Sequence, residues 1–108
     1  MTSKLKLLVL CGRNKKRSRT AEFIFKNDPR LEIRSAGISP SSVRKVSEND
    51  MNWAELVLVM EKNQKNKLRE MFSYLDLPQI DVLDIPDEYE FMDEELISML
   101  KTSIQTYL

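Results

Sequence analysis

The sequence has no histidine and only one cysteine, Cys11. Without histidine, the serine–histidine and cysteine–histidine pairs that activate many nucleophiles are excluded, so a nucleophile here needs another activator. A zinc site built from histidine and cysteine ligands is excluded for the same reason. One cysteine also rules out a disulfide framework within the chain. It is typical of a reducing compartment, so we expect a cytoplasmic protein.

Long apolar runs are also missing. The longest, Leu7–Cys11, is far shorter than the roughly 20 residues of a membrane-spanning helix. Lys4 and Lys6 interrupt the N-terminal stretch where a signal peptide would be apolar. We therefore expect neither a signal peptide nor a membrane partner. A chain of 108 residues with 42% apolar and 31% charged residues is typical of one small globular domain, residues 1–108, which we expect to be monomeric.

The net charge of zero conceals a marked asymmetry. Residues 1–50 contain twelve Lys and Arg against five Asp and Glu, whereas residues 70–100 contain ten acids and no base. Most of these charges are expected to lie on solvated surfaces. Where both signs meet at one site, the cations would hold an anion and an acid would transfer protons.

Short apolar runs typical of strands alternate along the chain with segments whose apolar residues recur at helical spacing. Leu5–Leu10 and Leu56–Met60 are almost continuously apolar, as expected for strands covered on both faces. Two further strands are predicted at Leu31–Ala36 and Ile80–Ile85. Helices are predicted at Ser18–Lys26 with Ser18 as its cap, at Ser42–Asp50, at Asn63–Leu75, and after a cap at Asp93. This order predicts an α/β fold with a compact parallel four-stranded sheet flanked by helices.

The loop after the first predicted strand carries the clearest chemical pattern. Cys11 ends the strand, and Arg17 follows six residues later at the start of a helix. Ligands of open α/β sheets bind at this position. Backbone N–H groups of such a loop, the helix dipole and a forked arginine together bind phosphate and also stabilise a thiolate. Five cations fall within seven residues here: Arg13, Lys15, Lys16, Arg17 and Arg19.

The spacing Cys-x5-Arg-Ser is the signature of protein tyrosine phosphatases, and its place after the first strand resembles the low-molecular-weight class. Further landmarks of that family follow in order along nearly the whole chain. They are Asn14 in the loop, Arg17–Glu22 at the helix start, Ser35-Ala36-Gly37, Ala54–Met60, and Asp84–Tyr89. The chain therefore resembles a short member of the low-molecular-weight protein tyrosine phosphatases, and the resemblance implies the phosphotyrosine phosphatase I-like fold.

The resemblance also implies a role for each matching residue. Cys11 would attack phosphorus and form a phosphocysteine, and Ser18 would donate a hydrogen bond to its sulfur. An aspartate would protonate the leaving oxygen, and no metal or organic cofactor is required. Phosphate binding is implied for Arg17 and for the loop residues Gly12, Arg13, Asn14, Lys15 and Lys16.

The family pattern for the acid is Asp-Pro-aromatic just after the last strand. Asp87 keeps the spacing to the aromatic residue Tyr89 but lacks the intervening proline, and Asp84 lies closer to the strand. We predict Asp87 as the general acid, with Asp84 as the alternative. Tyr89 is predicted to form a wall of the substrate pocket. That wall is otherwise reduced, because Gly12 replaces the family's bulky aliphatic residue and the segment Ile38–Val43 contains no aromatic ring.

Three functions fit the pattern. The first is a phosphatase for phosphate monoesters, with phosphotyrosine in proteins as the first expected substrate. The second is an enzyme for another phosphoryl ester, or an arsenate reductase-like enzyme, although the single cysteine disfavours a self-contained reductase. The third is a non-catalytic module that binds a phosphorylated ligand or RNA through the basic loop. The loop lacks interleaved aromatic residues, which argues against nucleic acid. The expected partner is thus a phosphorylated protein or a small phosphomonoester.

Overall fold

Four parallel strands form a single sheet in the computed structural model, which describes residues 4–108. The strands are β1 (Leu5–Cys11), β2 (Leu31–Gly37), β3 (Leu56–Val59) and β4 (Gln79–Val82). Their order across the sheet is β2-β1-β3-β4, and every neighbouring pair is parallel. The predicted four-stranded parallel sheet is therefore confirmed. Because β1 lies between β2 and β3, the loop that follows it leaves from the middle of the sheet.

Three helices connect the strands, a fourth follows the last strand, and together they cover the two faces of the sheet. They are α1 (Arg17–Phe25), α2 (Glu48–Trp53), α3 (Lys62–Met71) and α4 (Glu94–Gln105). Alternate side chains of β1 enter two separate cores, since successive residues of a strand point to opposite faces. Leu7 and Val9 pack with α1 and α4, whereas Leu8 and Leu10 pack on the side of α2 and α3.

The predicted helix at Ser42–Asp50 was wrong in position. Residues 42–47 are irregular, and α2 begins only at Glu48. Ser47 is its N-cap: the Ser47 hydroxyl accepts from the backbone N–H of Asp50, and the Asp50 carboxylate accepts from the backbone N–H of Ser47. This capping box fixes the start of the helix three residues before Asp50.

Asp50 is almost completely buried and holds two cations at this corner of the fold. Its carboxylate accepts hydrogen bonds from Arg44 and Arg34. Burial by itself raises the pKa of Asp50, but hydrogen bonds from Arg44 and Ser47 outweigh it and hold the pKa below its usual value. The Arg34 guanidinium also lies over the Trp53 ring, 4.1 Å from its centroid.

Other predicted boundaries also differ from the structure, and α3 ends at Met71 rather than at Leu75. β4 ends at Val82 rather than at residue 85, and Asp84 has a φ of 57°, a left-handed conformation that no strand accommodates. Ser18 does not cap α1, because the N-cap position is Lys16 and the Ser18 hydroxyl is directed into the loop instead. Asp93 does cap α4, as predicted, and accepts from the backbone N–H of Glu95.

Within residues 4–108, no helix combines the length and the apolar character that crossing a membrane requires.

Candidate active site

A cleft of about 530 Å³ opens at the carboxyl ends of β1, β3 and β4. Four segments contribute to it: the loop after β1, the loop after β2, the first turn of α3 and the segment after β4. The lining residues are Cys11, Gly12, Arg13, Lys15, Lys16, Arg17, Ser39, Glu61, Gln64 and Asp87. Most of the sequence-predicted loop residues thus meet at one place, where open α/β sheets bind ligands.

Cys11 lies at the floor of the cleft with only 3% of its surface exposed. Its Sγ is 2.9 Å from the hydroxyl oxygen of Ser18. The Asn14 side-chain amide donates to Ser18 Oγ at 2.9 Å and to Ser35 Oγ at 3.0 Å. Asn14 has a φ of 57°, the left-handed conformation that asparagine tolerates better than most residues.

These contacts fix the direction of the hydrogen bonds that Asn14 and Ser35 make. The amide nitrogen of Asn14 only donates, so both serine hydroxyls accept from it. Ser35 gives its own proton to the Glu22 carboxylate, which lies 2.6 Å away. The Ser18 hydroxyl lies 2.9 Å from the Cys11 sulfur and 3.5 Å from the Ala36 carbonyl, and its proton can be donated to either. Because the Asn14 amide donates to Ser18, the Ser18 hydroxyl keeps a proton, and the Cys11 sulfur is the nearer of its two possible acceptors.

The backbone of the loop after β1 has donors to spare. The carbonyl oxygens of Gly12 and Arg13 accept from the loop after β2, through the N–H groups of Ser39 and Val43. In the part of the chain that the structure describes, no protein acceptor takes the N–H groups of residues 13–16. Consecutive unpaired N–H groups in a curled loop form a concave anion-binding site.

Gly37 lets the two loops approach so closely. A Cβ at this position would collide with the Ser42 side chain and would lie 2.9 Å from the backbone carbonyl carbon of Arg13. By contrast, a Cβ on Gly12 would meet nothing within 4 Å. The loop is therefore tightly braced from behind and open on the side of the cleft.

Arg17 is the buried cation of the site, with 4% of its surface exposed. One terminal nitrogen donates at 2.7 Å both to the Glu61 carboxylate and to the Ile85 carbonyl. The Arg17 Nε lies 3.8 Å from Asp87 Oδ1. These partners hold the guanidinium in one orientation, with a planar fork that matches two oxygens of a phosphoryl group.

Glu61 is a site residue that the sequence analysis missed. It lies just after β3 and is the N-cap residue of α3, where its backbone carbonyl accepts from the N–H of Gln64 and the Gln64 side chain accepts from the backbone N–H of Glu61. A signal for it existed, because the carboxyl end of β3 lies beside that of β1 in any sheet with this order. An acid at that point was available to pair with a buried cation from the loop.

The two candidate acids lie in different places. Both border a shallow depression beside Ile85, but only Asp87, which is 67% exposed, also lines the cleft, whereas the exposed Asp84 is absent from its lining. Tyr89 is not part of the lining either, and its place in the pocket wall stays a prediction. Its ring packs against the core between α1 and α4, and partial burial and then the nearby Glu95 carboxylate raise its pKa.

Among the described residues, no group of three or more acidic or sulfur-bearing side chains is arranged to hold a metal ion. The cleft instead combines cations, backbone donors, one thiol and an exposed acid. This arrangement suits a tetrahedral oxyanion that reacts at its central atom.

Solved structures with the same architecture are known. SP-PTP, a low molecular weight protein tyrosine phosphatase from Streptococcus pyogenes, matches with a TM-score of 0.78 and 20% identity over 96% of this chain and 91% of that chain. The arginine phosphatase YwlE from Geobacillus stearothermophilus matches with a TM-score of 0.72 and 22% identity over 95% and 94%. The chain has the fold of the low-molecular-weight phosphatases.

A third structure with this fold is the tyrosine phosphatase Wzb from Escherichia coli K30 in complex with phosphate. Its TM-score is 0.73 at 18% identity, and the match covers 97% of this chain and 96% of that chain. No family model and no curated protein matches the sequence. At these identities the likeness concerns the fold, and the argument about chemistry depends on the residues of the cleft.

Proposed function

We propose that this protein is a phosphatase, a hydrolase that cleaves phosphate monoesters through a phosphocysteine at Cys11. The observation that supports this proposal is the set of hydrogen-bond donors in the loop after β1. Unpaired N–H groups of residues 13–16 and the oriented Arg17 guanidinium surround the place where an anion would face the Cys11 sulfur. A phosphoryl group is the anion whose size, charge and three equivalent oxygens fit these donors.

The first chemical step follows from the partners of Cys11. The thiolate attacks phosphorus while the bond to the ester oxygen breaks, and the electron pair of that bond goes to the leaving oxygen. Arg17 and the loop N–H groups hold the three equatorial oxygens throughout. Asp87, as the carboxylic acid, gives its proton to the leaving oxygen, so that an alcohol departs rather than an alkoxide.

The second step returns the protein to its starting state. Water attacks the phosphorus of the phosphocysteine and gives a proton to the Asp87 carboxylate. The sulfur–phosphorus bond breaks, and its electron pair returns to Cys11 as a thiolate. Ser18 supports this departure by donating a hydrogen bond to the thiolate that forms, since its hydroxyl oxygen lies 2.9 Å from the same sulfur. Inorganic phosphate is then released from the loop.

The fold of the neighbours supports a phosphomonoester or a phosphorylated protein as the substrate, and phosphotyrosine is the first one to test. Two neighbours bear the name tyrosine phosphatase and one the name arginine phosphatase. A phosphoarginine peptide therefore belongs in the same substrate panel.

The decisive experiment is turnover of para-nitrophenyl phosphate by the wild type and by Cys11→Ser. We expect hydrolysis by the wild type and a loss of about 10⁴-fold or more in the variant, as for the loss of other covalent nucleophiles. Inorganic phosphate or vanadate should also protect Cys11 from iodoacetamide. A wild type that binds phosphate but releases none from any ester would make the protein a phosphate-binding module instead.

A further inference from the structure

The part of the cleft that would receive the leaving group is polar and cationic. Within the described residues, no aromatic ring lines it, and at Gly12 the wall is open for at least 4 Å around a Cβ position. The cleft volume of about 530 Å³ exceeds what a phosphoryl group alone occupies. Whatever lies beyond the phosphoryl group is therefore contacted by charged and polar side chains rather than by stacked rings.

Four cations line the cleft, but two of them are already engaged. Arg17 is buried against Glu61 and the Ile85 carbonyl, and Lys16 pairs with Glu90 at 3.2 Å. Arg13 and Lys15 are exposed, and neither makes an ion pair or a side-chain hydrogen bond with any residue between positions 4 and 108. These two charges remain available to a ligand.

The acidic side chains of the cleft do not neutralise Arg13 and Lys15. Glu61 is committed to Arg17, and Asp87 lies nearest the Arg17 Nε at 3.8 Å. Once a phosphoryl group occupies the loop donors and Arg17, the unpaired side chains of Arg13 and Lys15, which we call the rim, remain in the same cleft and are available to the substituent on its ester oxygen. A guanidinium and an ammonium bind carboxylate or phosphate with charge-assisted hydrogen bonds and attract such groups from a distance.

We propose that the preferred substrates are phosphate esters whose leaving group carries a second anionic group, held by Arg13 and Lys15. This inference rests on the proposed phosphatase function and adds the substrate class to it. The shared chemistry is a carboxylate or second phosphate close to the scissile phosphoryl group. It is found both in small bifunctional metabolites and in phosphorylated peptides with acidic neighbours.

A matched pair of small esters tests the charge without changing the ring. We compare kcat/KM for 4-carboxyphenyl phosphate and 4-carbamoylphenyl phosphate, which differ by one charge at nearly constant size. The neutral amide withdraws electrons more strongly, so a preference for the carboxylate is not a leaving-group effect. We expect a preference of about tenfold at low salt, of the order of one charge-assisted hydrogen bond, and a decrease as salt screens it.

The variants assign that preference to the rim. In the double variant Arg13→Gln/Lys15→Gln the ratio should fall to about one, whereas Lys101→Gln, an exposed lysine on α4 outside the cleft, should keep it. A peptide arm uses phosphotyrosine flanked by Asp or by Asn. If the acidic group raises kcat/KM for both the small esters and the peptides, the second charge can belong to a small substrate or to a peptide. If it does so for the small esters alone, the preferred substrates are small molecules.

Binding provides a readout that needs no turnover. Affinities of 4-carboxybenzylphosphonate and 4-carbamoylbenzylphosphonate for the wild type, measured by calorimetry, should differ in the same sense by about tenfold. Equal kcat/KM values for the small esters and equal phosphonate affinities would overturn the inference while leaving the phosphatase intact. A charge preference in binding with no hydrolysis of any ester would support the inference about the rim and refute the catalytic function.

Discussion

The loop Cys11–Ser18, for which we propose phosphate binding, and the acid segment (residues 83–92) reach the same cleft but are held in opposite ways. In the loop, Cys11, Asn14, Arg17 and Ser18 are each at most 4% exposed, and every side chain among them has a named partner. In the acid segment Asp87 is 67% exposed and lies in irregular backbone.

The acid segment is fastened at only a few points. The Ile85 side chain is buried, and the Ile85 backbone N–H donates to the Met60 carbonyl. The backbone N–H of Met92 donates to Thr20 Oγ1 on α1, and Glu90 pairs with Lys16. Asp84 and Met92 both have positive φ values, which mark the two sharp turns at its ends.

The difference teaches which groups need exact placement. An anion site works only if its donors already point at the oxygens, because reorganising them would consume the energy they supply. A proton donor needs only to reach the leaving oxygen, whose position changes with the substrate. Burial of the loop and exposure of the acid segment follow this division.

The largest effect is expected for Asp87→Asn, which removes the proposed proton donor of the acid segment. We expect a loss of about 10²–10⁴-fold in kcat for phosphotyrosine, since an ordinary phenolate needs a proton as it departs. The loss for para-nitrophenyl phosphate should be much smaller, because para-nitrophenolate is stable without one. Steady-state kinetics on both esters measure the ratio. Asp84→Asn is the matched control, and a large leaving-group-dependent loss in that variant instead would move the acid role to Asp84.

Arg17→Lys tests the loop in the same assay. The lysine keeps the charge but loses the planar fork and the paired contacts to Glu61 and Ile85. We expect kcat to fall by about 10²–10³-fold, to the same extent for good and poor leaving groups. Arg19→Lys, an exposed cation on α1, serves as the control. A loss confined to poor leaving groups would contradict the separate roles of the two regions.

Asn14 tests how much stability the loop network contributes. Removing its amide leaves two buried hydroxyls without a donor, which we expect to cost about 1–3 kcal/mol in the free energy of unfolding. Asn14→Ala should lower the free energy of unfolding by roughly 1–2 kcal/mol more, because alanine tolerates a φ of 57° poorly. Asn14→Gly should not show this additional loss. Urea denaturation of both variants separates the two contributions. Equal stability of the two would show that the backbone conformation is not strained.

The smallest effect is expected at Thr20 on α1, which links the Lys16 carbonyl of the loop to the acid segment. Thr20 Oγ1 donates to the Lys16 carbonyl and accepts from the Met92 N–H. Thr20→Val keeps the shape but removes the hydroxyl, and should lower the free energy of unfolding by about 1 kcal/mol. Thr20→Ser retains the bonding group and should lose less. If the valine variant unfolds at the same urea concentration as the wild type, the acid segment does not depend on this contact.

The sheet was predictable from local patterns. The strands β1 and β3 are buried on both faces, and their nearly continuous apolar runs identify them as strands. Ser47 and Asp50 have the residue types and spacing of a capping box, which indicates the start of α2. The predicted helix nevertheless began too early, because the weak apolar pattern before Ser47 was included in it. β4 was predicted too long because its apolar pattern continues through Ile85, beyond the turn at Asp84.

The sequence alone determined which residues follow β1 and how far apart Cys11 and Arg17 lie, because both depend on one continuous stretch of chain. Only the tertiary structure decided what those residues meet. Glu61 is 44 positions from Arg17 and reaches it because β3 lies beside β1 in the sheet. Tyr89 matches the family spacing yet turns to the core, because the backbone after Asp87 folds against α1 and α4. Spacing is a property of the chain, whereas contact depends on the order of the strands and the turns between them.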